Sequence, residues 1–134
     1  MITMDTSGLY AIFNRRDVLH HQMKAARDAD PGPYIVPSGI LAEIAWMTER
    51  TLGVSVLAAF LLDLADGSYL TDCGDQDFRR VRQLVERYAD LRLGYADAAV
   101  VACAERHGGR VLTCDQRHFS VVARGERSII VVPA

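Results

Sequence analysis

The stretch Gly94–Phe119, "GYADAAVVACAERHGGRVLTCDQRHF", predicts a helix, a glycine stop, a short strand and a tight turn. Its helical part is apolar around nearly the whole circumference, which is typical of a helix buried in a protein core. Asp97 nevertheless stands in the first turn of that helix, and Asp115 follows two residues after the strand "RVLT". The position of these two carboxylates, at the ends of two elements predicted to be buried, needs a physical explanation.

Short apolar segments alternate with longer helical segments along the rest of the chain. The predicted strands are "MITM", "YIVP", "YLT", "RVLT" and "SIIVV", and further helices are predicted over 5–14, 17–30, 39–53, 55–67 and 75–91. No helix is predicted between Asp115 and the last strand. This alternation predicts an α/β fold, a three-layer α/β/α sandwich with a short-stranded parallel sheet. The apolar helix over 56–65 is predicted to be part of the core, and the alternative is that it lines a groove on which a helix or strand of a partner protein docks. The whole chain, 1–134, is predicted to form one domain.

The amino-acid composition limits the classes of protein to which the chain can belong. Hydrophobic residues make up 50% of the 134 residues, which is enough to build a core. No apolar run reaches the ~18 residues of a membrane-spanning helix, and the first residues, "MITMDTSG", do not resemble a signal peptide. A cytoplasmic protein without a membrane partner is therefore expected. The net charge of -2 gives no overall basic field that would attract nucleic acid.

The cysteines form no CxxC pair. Cys103 and Cys114 lie in apolar surroundings and are expected to be reduced thiols, while Cys73 stands apart from both. Zinc is not expected, because no paired His/Cys spacing is visible. The four histidines are expected at the surface or at helix ends.

Topology directs four acidic residues to one edge of the predicted sheet. Asp5 follows the first strand, and Asp115 follows the fourth. Glu43 lies five residues after Ser38 in the helix that follows the second strand, and Asp97 begins the helix that runs back before the fourth. All four therefore face the carboxyl ends of the strands, where open parallel sheets bind ligands. Asp5, Asp97 and Asp115 each also have a purely structural explanation as a turn residue, a partner of a helix dipole or a helix cap. Glu43 is harder to explain in this way, because it interrupts the otherwise apolar segment "ILAEIAWM", where burial of an unpaired charge is costly.

Carboxylates that crowd together repel one another unless a cation lies among them. An oxygen-only ligand set without His or Cys favours a hard cation, Mg²⁺ or Mn²⁺. Such an ion lowers the pKa of a bound water and neutralises charge on a phosphate. The residues alone therefore indicate a metal-dependent phosphodiesterase.

Three segments of the chain resemble the motifs of PIN-domain ribonucleases. The opening "DTSGLYA", the middle "PSGILAEIAW" and the closing "YADAAVVACAERHG" with "VLTCDQRHF" match the family across essentially the whole chain. The closing motif is the most specific of them. The compact size is similar to that of the toxin component of VapBC-type toxin–antitoxin pairs. One departure is Cys114, where relatives commonly carry Thr or another small residue.

The resemblance implies a function and a set of site residues. It implies a Mg²⁺-dependent endoribonuclease toxin with a PIN-like fold, RNA as substrate, a VapB-like antitoxin as partner and a homodimer. Carried over by motif, the acidic cluster is Asp5, Glu43, Asp97 and Asp115. Asp5 and Asp97 would be the main direct ligands of Mg²⁺ or Mn²⁺, and Glu43 and Asp115 would act directly or through water. A hydroxyl beside Asp5, from Thr6 or Ser7, would hydrogen-bond within the site.

Two other functions remain open from the sequence. A catalytically inactive PIN fold could serve as a protein-binding module, although the acids at all four positions argue against it. A haloacid-dehalogenase-type phosphatase also carries an acid after its first strand. That class needs a second Asp two residues later, where this chain has Ser7, and a downstream lysine, whereas Lys24 is the only lysine of the chain.

Overall fold

A computed structural model describes residues 1–134 as a parallel sheet flanked by helices. The strands are β1 (Ile2–Met4), β2 (Tyr34–Pro37), β3 (Leu70–Asp72), β4 (Arg110–Leu112) and β5 (Ile130–Val132). The helices are α1 (Thr6–Phe13), α2 (His20–Asp28), α3 (Ser38–Leu52), α4 (Val54–Asp66), α5 (Phe78–Arg87), α6 (Tyr95–Arg106) and α7 (Gln116–Gly125). Single 3₁₀ turns precede and follow α5, at Asp75–Asp77 and Ala89–Leu91.

The strands are ordered β3-β2-β1-β4-β5, and every neighbouring pair is parallel. The chain leaves β1 for β2 on one side and leaves β4 for β5 on the other side. The order therefore reverses between β1 and β4, and a crevice forms at the carboxyl ends of these two strands. Met4 is aligned with Leu112 in this pair, and the Asp5 amide continues the ladder by donating to the Leu112 carbonyl at 3.0 Å. The predicted α/β/α architecture with a parallel sheet is confirmed.

Helix α6 is the most deeply buried helix of the fold. All seven residues from Ala98 to Ala104 are buried, against the sheet and against α3 and α5. Small and β-branched side chains on every side of the helix permit this close packing, because no long side chain has to reach solvent. The apolar sequence of the helix is thus explained by its central position, and its first turn is held in place by packing.

The structure differs from the sequence-based expectation in two helices. Helix α7 was not predicted, and it buries only Phe119 and Val122, one turn apart, against the end of the sheet. Helix α4 was predicted to lie in the core, yet only Phe60 is buried, and Val54 and Leu62 are 68% and 64% exposed. Its main neighbour is α3, so the helix lies in an outer layer. None of the helices has the length and apolar character needed to cross a bilayer.

The expectation of a reduced thiol is wrong for Cys103, which forms a disulfide with Cys73. Cys73 directly follows β3, and Cys103 lies in the last turn of α6 with its Cα atom 5.5 Å from that of Cys73. The crossover from β3 to β4 folds α6 back over the sheet, and this brings together residues 30 positions apart. Sequence spacing alone cannot reveal such a pairing. Cys114 is free, as expected.

A close approach between α1 and β4 closes the sheet beside the crevice. A Cβ atom at Gly8 would lie 2.5 Å from the carbonyl oxygen of Leu112 and 3.0 Å from its carbon. Only glycine permits this approach, because both contacts are with rigid backbone. The glycine of the motif "DTSGLYA" therefore sets the distance between the start of α1 and the end of β4.

Replacing Gly8 with alanine is expected to lower the free energy of unfolding by about 1–3 kcal/mol, because the added methyl group pushes α1 away from β4. Denaturant unfolding followed by circular dichroism measures the change. Gly94→Ala is the matched control: no atom lies within 4 Å of its Cβ position, and the backbone there is extended. A Gly8→Ala variant as stable as the control would contradict this reading of the contact.

Candidate functional site

The structure brings all four predicted site acids to one depression at the carboxyl edge of the sheet. The depression has a volume of about 200 Å³ and is lined by Asp5, Thr6, Ser7, Glu43, Met47, Asp97 and Asp115. Asp5 directly follows β1, Asp115 follows β4, and the other two acids lie in the early turns of α3 and α6. No lysine or arginine is among the lining residues, so the depression is strongly acidic.

Asp5 is the most rigidly held of the four acids. Its side chain is buried, and its Oδ2 atom accepts hydrogen bonds from the Ser7 and Thr113 hydroxyls, each at 2.7 Å. Burial raises the pKa of Asp5, whereas these hydroxyls and the nearby backbone amides lower it; the net direction is upward. The remaining oxygen, Oδ1, receives no side-chain hydrogen bond and is left for another ligand.

The hydroxyl groups of Ser7 and Thr113 connect the ends of β1 and β4. They lie 3.1 Å apart, and the Ser7 oxygen also accepts from the Cys114 amide at 3.0 Å. Thr113 accepts from the Asp115 amide at 2.9 Å. Of the two hydroxyls expected beside Asp5, Ser7 thus makes the contact, while the buried Thr6 hydroxyl has no partner. Thr113 was not singled out by the sequence, although it ends the strand motif "RVLT".

Asp97 experiences the crowding of negative charge most directly. The pKa of Asp97 is raised to about 6, in the first place by burial and then by the negative charges of Asp5 and Asp115. Glu43 contributes in the same direction, whereas His118 opposes the shift. Ionised Asp97 is therefore unfavourable in this place unless positive charge is added.

Asp115 is held by a histidine that the sequence did not point to. As the N-cap of α7, Asp115 accepts a hydrogen bond from the His118 amide at 3.2 Å through Oδ1. Its Oδ2 atom lies 2.7 Å from Nδ1 of the same residue. Ligand atoms of Asp97, Asp115 and His118 all lie within 4.8 Å of one another. The spacing of Asp115 and His118 across the first turn of a helix could have revealed the pair, had α7 been recognised.

Glu43 lines the depression from the second turn of α3, where the topology places it. Because it interrupts an apolar segment, the sequence suggested burial, but the residue is exposed. It makes no hydrogen bond or ion pair with another residue, unlike Asp5 and Asp115. Its carboxylate is therefore not fixed in one orientation by a partner within the chain.

The donor set fits a hard divalent cation. Carboxylate oxygens dominate it, hydrogen bonds from hydroxyl groups and from a backbone amide orient two of the carboxylates, and burial together with mutual repulsion raises the pKa of a third. A cation placed among the carboxylates would relieve that repulsion and favour their ionised forms. His118 adds one nitrogen at the rim, which Mn²⁺ accepts more readily than Mg²⁺ does.

Comparison with known proteins shows the family of the chain. Residues 2–125 match the family model described as the PIN domain. Ribonuclease VapC26 of Mycobacterium tuberculosis is 34% identical over 121 residues, which cover 89% of this chain and 90% of that protein. The chain therefore belongs to the PIN domain family.

Two solved structures share the fold at lower sequence identity. VapC20 of Mycobacterium tuberculosis, described as a sarcin-ricin loop cleaving toxin, superposes with a TM-score of 0.79 at 17% identity, over 90% of this chain and 95% of that one. FitAcB from Neisseria gonorrhoeae has a TM-score of 0.66 at 18% identity, over 98% of this chain and 96% of that one. Both likenesses extend over nearly the full length.

The raised pKa of Asp97 predicts how pH changes the stability of the metal-free chain. The folded state holds the Asp97 proton up to pH about 6, whereas the unfolded state releases it near 3.8. The stability from this residue is therefore full below pH about 4 and is lost as pH rises through about 6. Asp97→Asn is expected to raise the free energy of unfolding at pH 7.5 in chelator by about 1–2 kcal/mol, allowing for solvent screening, and to have little effect at pH 4.

Thermal or urea unfolding across this pH range measures the difference between the two proteins. Glu49→Gln, a neutralised exposed acid on α3 outside the depression, should leave the pH profile unchanged. A variant Asp97→Asn that loses stability at pH 7.5 in chelator would show that no charge repulsion acts on Asp97.

Proposed function

We propose that this chain is a divalent-metal-dependent endoribonuclease of the toxin type, which hydrolyses phosphodiester bonds in RNA. The observation that carries the proposal is the convergence of four carboxylates from separate elements on one depression without a neutralising lysine or arginine. The similarity to Ribonuclease VapC26 over 89% of the chain supports the ribonuclease activity. The PIN domain match over residues 2–125 supports it as well.

Mg²⁺ or Mn²⁺ is the proposed cofactor, with Asp5 and Asp97 as its main direct ligands. Asp115 and Glu43 complete the set directly or through water. The Oδ1 atom of Asp5, which accepts no hydrogen bond from another side chain, and the electrostatic cost of ionising Asp97 both support a cation in this position. When bound, the ion supplies positive charge for the phosphate and lowers the pKa of a water.

The protein side chains have separate roles in the proposed hydrolysis. Ser7 and Thr113 hold Asp5 in one orientation, so little reorganisation is needed when substrate binds. His118 fixes the carboxylate of Asp115 in the same way. The carboxylate of Glu43, which has no partner within the chain, is proposed to orient the attacking water and to accept its proton.

RNA is expected to approach the edge of the sheet where the acids lie. Arg117 follows Asp115 at the start of α7, and Arg92 lies in the turn before α6; both are exposed at that edge. They are proposed to contact phosphates. Arg15 and Arg16 follow the opposite end of α1, about 12 Å from Asp5 along the helix axis, and are not assigned this role.

An antitoxin and a second copy of the chain are the proposed protein partners. Large apolar side chains are exposed on α3 and α4, where Trp46 is 60% and Leu62 is 64% accessible. Exposed apolar patches of this kind are typical of protein interaction sites. We assign the α3–α4 surface, defined by Trp46, Val54, Leu61 and Leu62, to the antitoxin. We also propose a homodimer, a single domain over 1–134 and a cytoplasmic location.

Neutralising a metal ligand is expected to abolish RNA cleavage. Asp5→Asn and Asp97→Asn should each lower kcat/KM by roughly 100-fold or more, because a ligand of the charge-stabilising ion is lost. Glu43→Gln should lower kcat more than it raises KM. Cleavage of a labelled RNA in the presence of Mg²⁺ or Mn²⁺, and its suppression by chelator, measures these effects.

The control for this experiment is Glu49→Gln, which should cleave like the unmodified chain. Thermal unfolding with Mn²⁺ separates loss of metal from loss of the fold: the unmodified chain should gain about 2.7 kcal/mol at a concentration 100 times the Kd. A chain that binds no Mn²⁺ and cleaves no RNA would instead be a protein-binding module. Full activity in Asp5→Asn or Asp97→Asn would refute the proposed site.

The assignment of the α3–α4 surface predicts a specific pattern of hydrogen exchange. Amides of α4 should exchange at least several-fold more slowly when the antitoxin is present, since an exposed outer helix opens more easily than the core. Amides of α6, which is buried already, should change little. Equal exchange in α4 with and without antitoxin would exclude this surface as the docking site.

A further inference from the structure

A second cluster of metal-binding groups lies at the other end of α6, away from the acids. Cys103 is six residues after Asp97 on α6, about 9 Å along the axis, and Cys73 follows β3. His107 is the C-cap residue of the same helix. The two sulfur atoms and one ring nitrogen of His107 all lie within 4.8 Å of one another.

Two features indicate that this cluster is arranged to bind a metal ion. Cys103 and His107 are four residues apart, and this spacing places both side chains on one side of the helix. Nε2 of His107 lies 2.8 Å from Oδ2 of Asp72, the residue before Cys73. A carboxylate that orients an imidazole in this way is the usual outer partner of a metal-bound histidine. Asp72, Cys73, Cys103 and His107 are hereafter called the thiol cluster.

The ligands of the thiol cluster, two sulfurs and an imidazole, differ in chemical kind from the carboxylates of the acidic depression. Thiolate and imidazole select Zn²⁺ rather than Mg²⁺, since both are softer donors than carboxylate. Cys103 is fully buried and Cys73 is 7% exposed, next to Ile35. Thiolates without a cation would be unstable in such surroundings, whereas thiolates bound to a metal carry little net charge.

We propose that the thiol cluster binds Zn²⁺ when the Cys73–Cys103 disulfide is reduced. The two thiolates and Nδ1 of His107 are the ligands, and water occupies the fourth position of the tetrahedron. Asp72 stays hydrogen-bonded to the other ring nitrogen. The same residues thus join β3 to α6 under oxidising conditions through a covalent bond and under reducing conditions through a metal ion.

The exchange between the two states balances in electrons and protons. A dithiol reductant supplies two electrons and two protons through thiol–disulfide exchange, becomes a disulfide itself and leaves two thiols on the chain. Binding of Zn²⁺ then releases both thiol protons to solvent, while the neutral imidazole contributes a lone pair. A disulfide oxidant reverses the sequence: thiol–disulfide exchange passes two electrons from the thiolates to it, it takes up two protons from solvent and becomes a dithiol, and the ion is released.

Cobalt substitution tests the site with the full chain. The chain is reduced with a phosphine, which becomes the phosphine oxide, and is then titrated with Co²⁺ without oxygen. We expect one thiolate-bound Co²⁺ per chain, with thiolate-to-cobalt charge-transfer absorption and the visible bands of tetrahedral Co²⁺, all displaced by Zn²⁺. Co²⁺ held by the oxygen ligands of the acidic depression gives no thiolate-to-cobalt absorption, so the two sites are distinguished. The oxidised chain should show none of these bands.

Variants identify the ligands. Cys73→Ser and Cys103→Ser should each lose at least half of the charge-transfer absorption, and His107→Gln should weaken Co²⁺ binding about 10-fold or more. Cys114→Ser is the matched control, because Cys114 is the one cysteine outside the disulfide, and it should bind like the unmodified chain. Circular dichroism of each variant verifies the fold.

Two results would overturn the proposal. One is a reduced, folded chain without thiolate-to-cobalt absorption. The other is absorption that persists in Cys73→Ser and His107→Gln or disappears in Cys114→Ser. Neither measurement depends on RNA cleavage, so the thiol cluster and the ribonuclease proposal stand or fall separately.

Discussion

Parallel pairing of β1 with β4 is the constraint on which the rest of the structure depends. It aligns Met4 with Leu112, so that the next residues along both strands emerge side by side at the carboxyl edge. Gly8 lets α1 approach the Leu112 carbonyl, and the hydroxyls of Ser7 and Thr113 then close on Asp5. A single backbone register thereby determines where the first acid, its two hydroxyl partners and the turn to Asp115 lie.

Helix packing brings the other two acids to the same place. Helix α6 packs between the sheet and its neighbours α3 and α5, and this packing holds its first turn, with Asp97, at the depression. Helix α3 brings Glu43 to the rim. The result is an arrangement that is unfavourable by itself, since burial and like charges raise the pKa of Asp97 to about 6. Folding therefore stores electrostatic repulsion that a divalent ion can relieve. Structural stability and metal binding are coupled through the same carboxylates.

The two ends of α6 differ in chemistry although they belong to one rigid element. Its first turn offers hard oxygen ligands, and its last turn lies beside two sulfurs and an imidazole. The disulfide ties the helix to the end of β3, while Asp97 depends on the position of that helix. The disulfide at the far end of α6 therefore helps to fix the position of Asp97 in the acidic depression.

Local patterns in the sequence determined the parallel α/β architecture, the burial of α6 and the acids at the strand ends, because hydrophobic periodicity and strand–helix alternation are properties of neighbouring residues. Helix α7 was not predicted because Phe119 and Val122 are its only buried residues, which is too few to show a helical period. Helix α4 was assigned to the core because apolar composition does not distinguish a core helix from an exposed interaction face. The pairing of His118 with Asp115 is local to the first turn of α7 and was missed together with that helix. The exposure of Glu43 and the disulfide of Cys103 with Cys73 were decided only by the tertiary structure. They depend on how α3 packs and on the distance between β3 and α6, which are set by packing and strand order and leave no trace in local sequence.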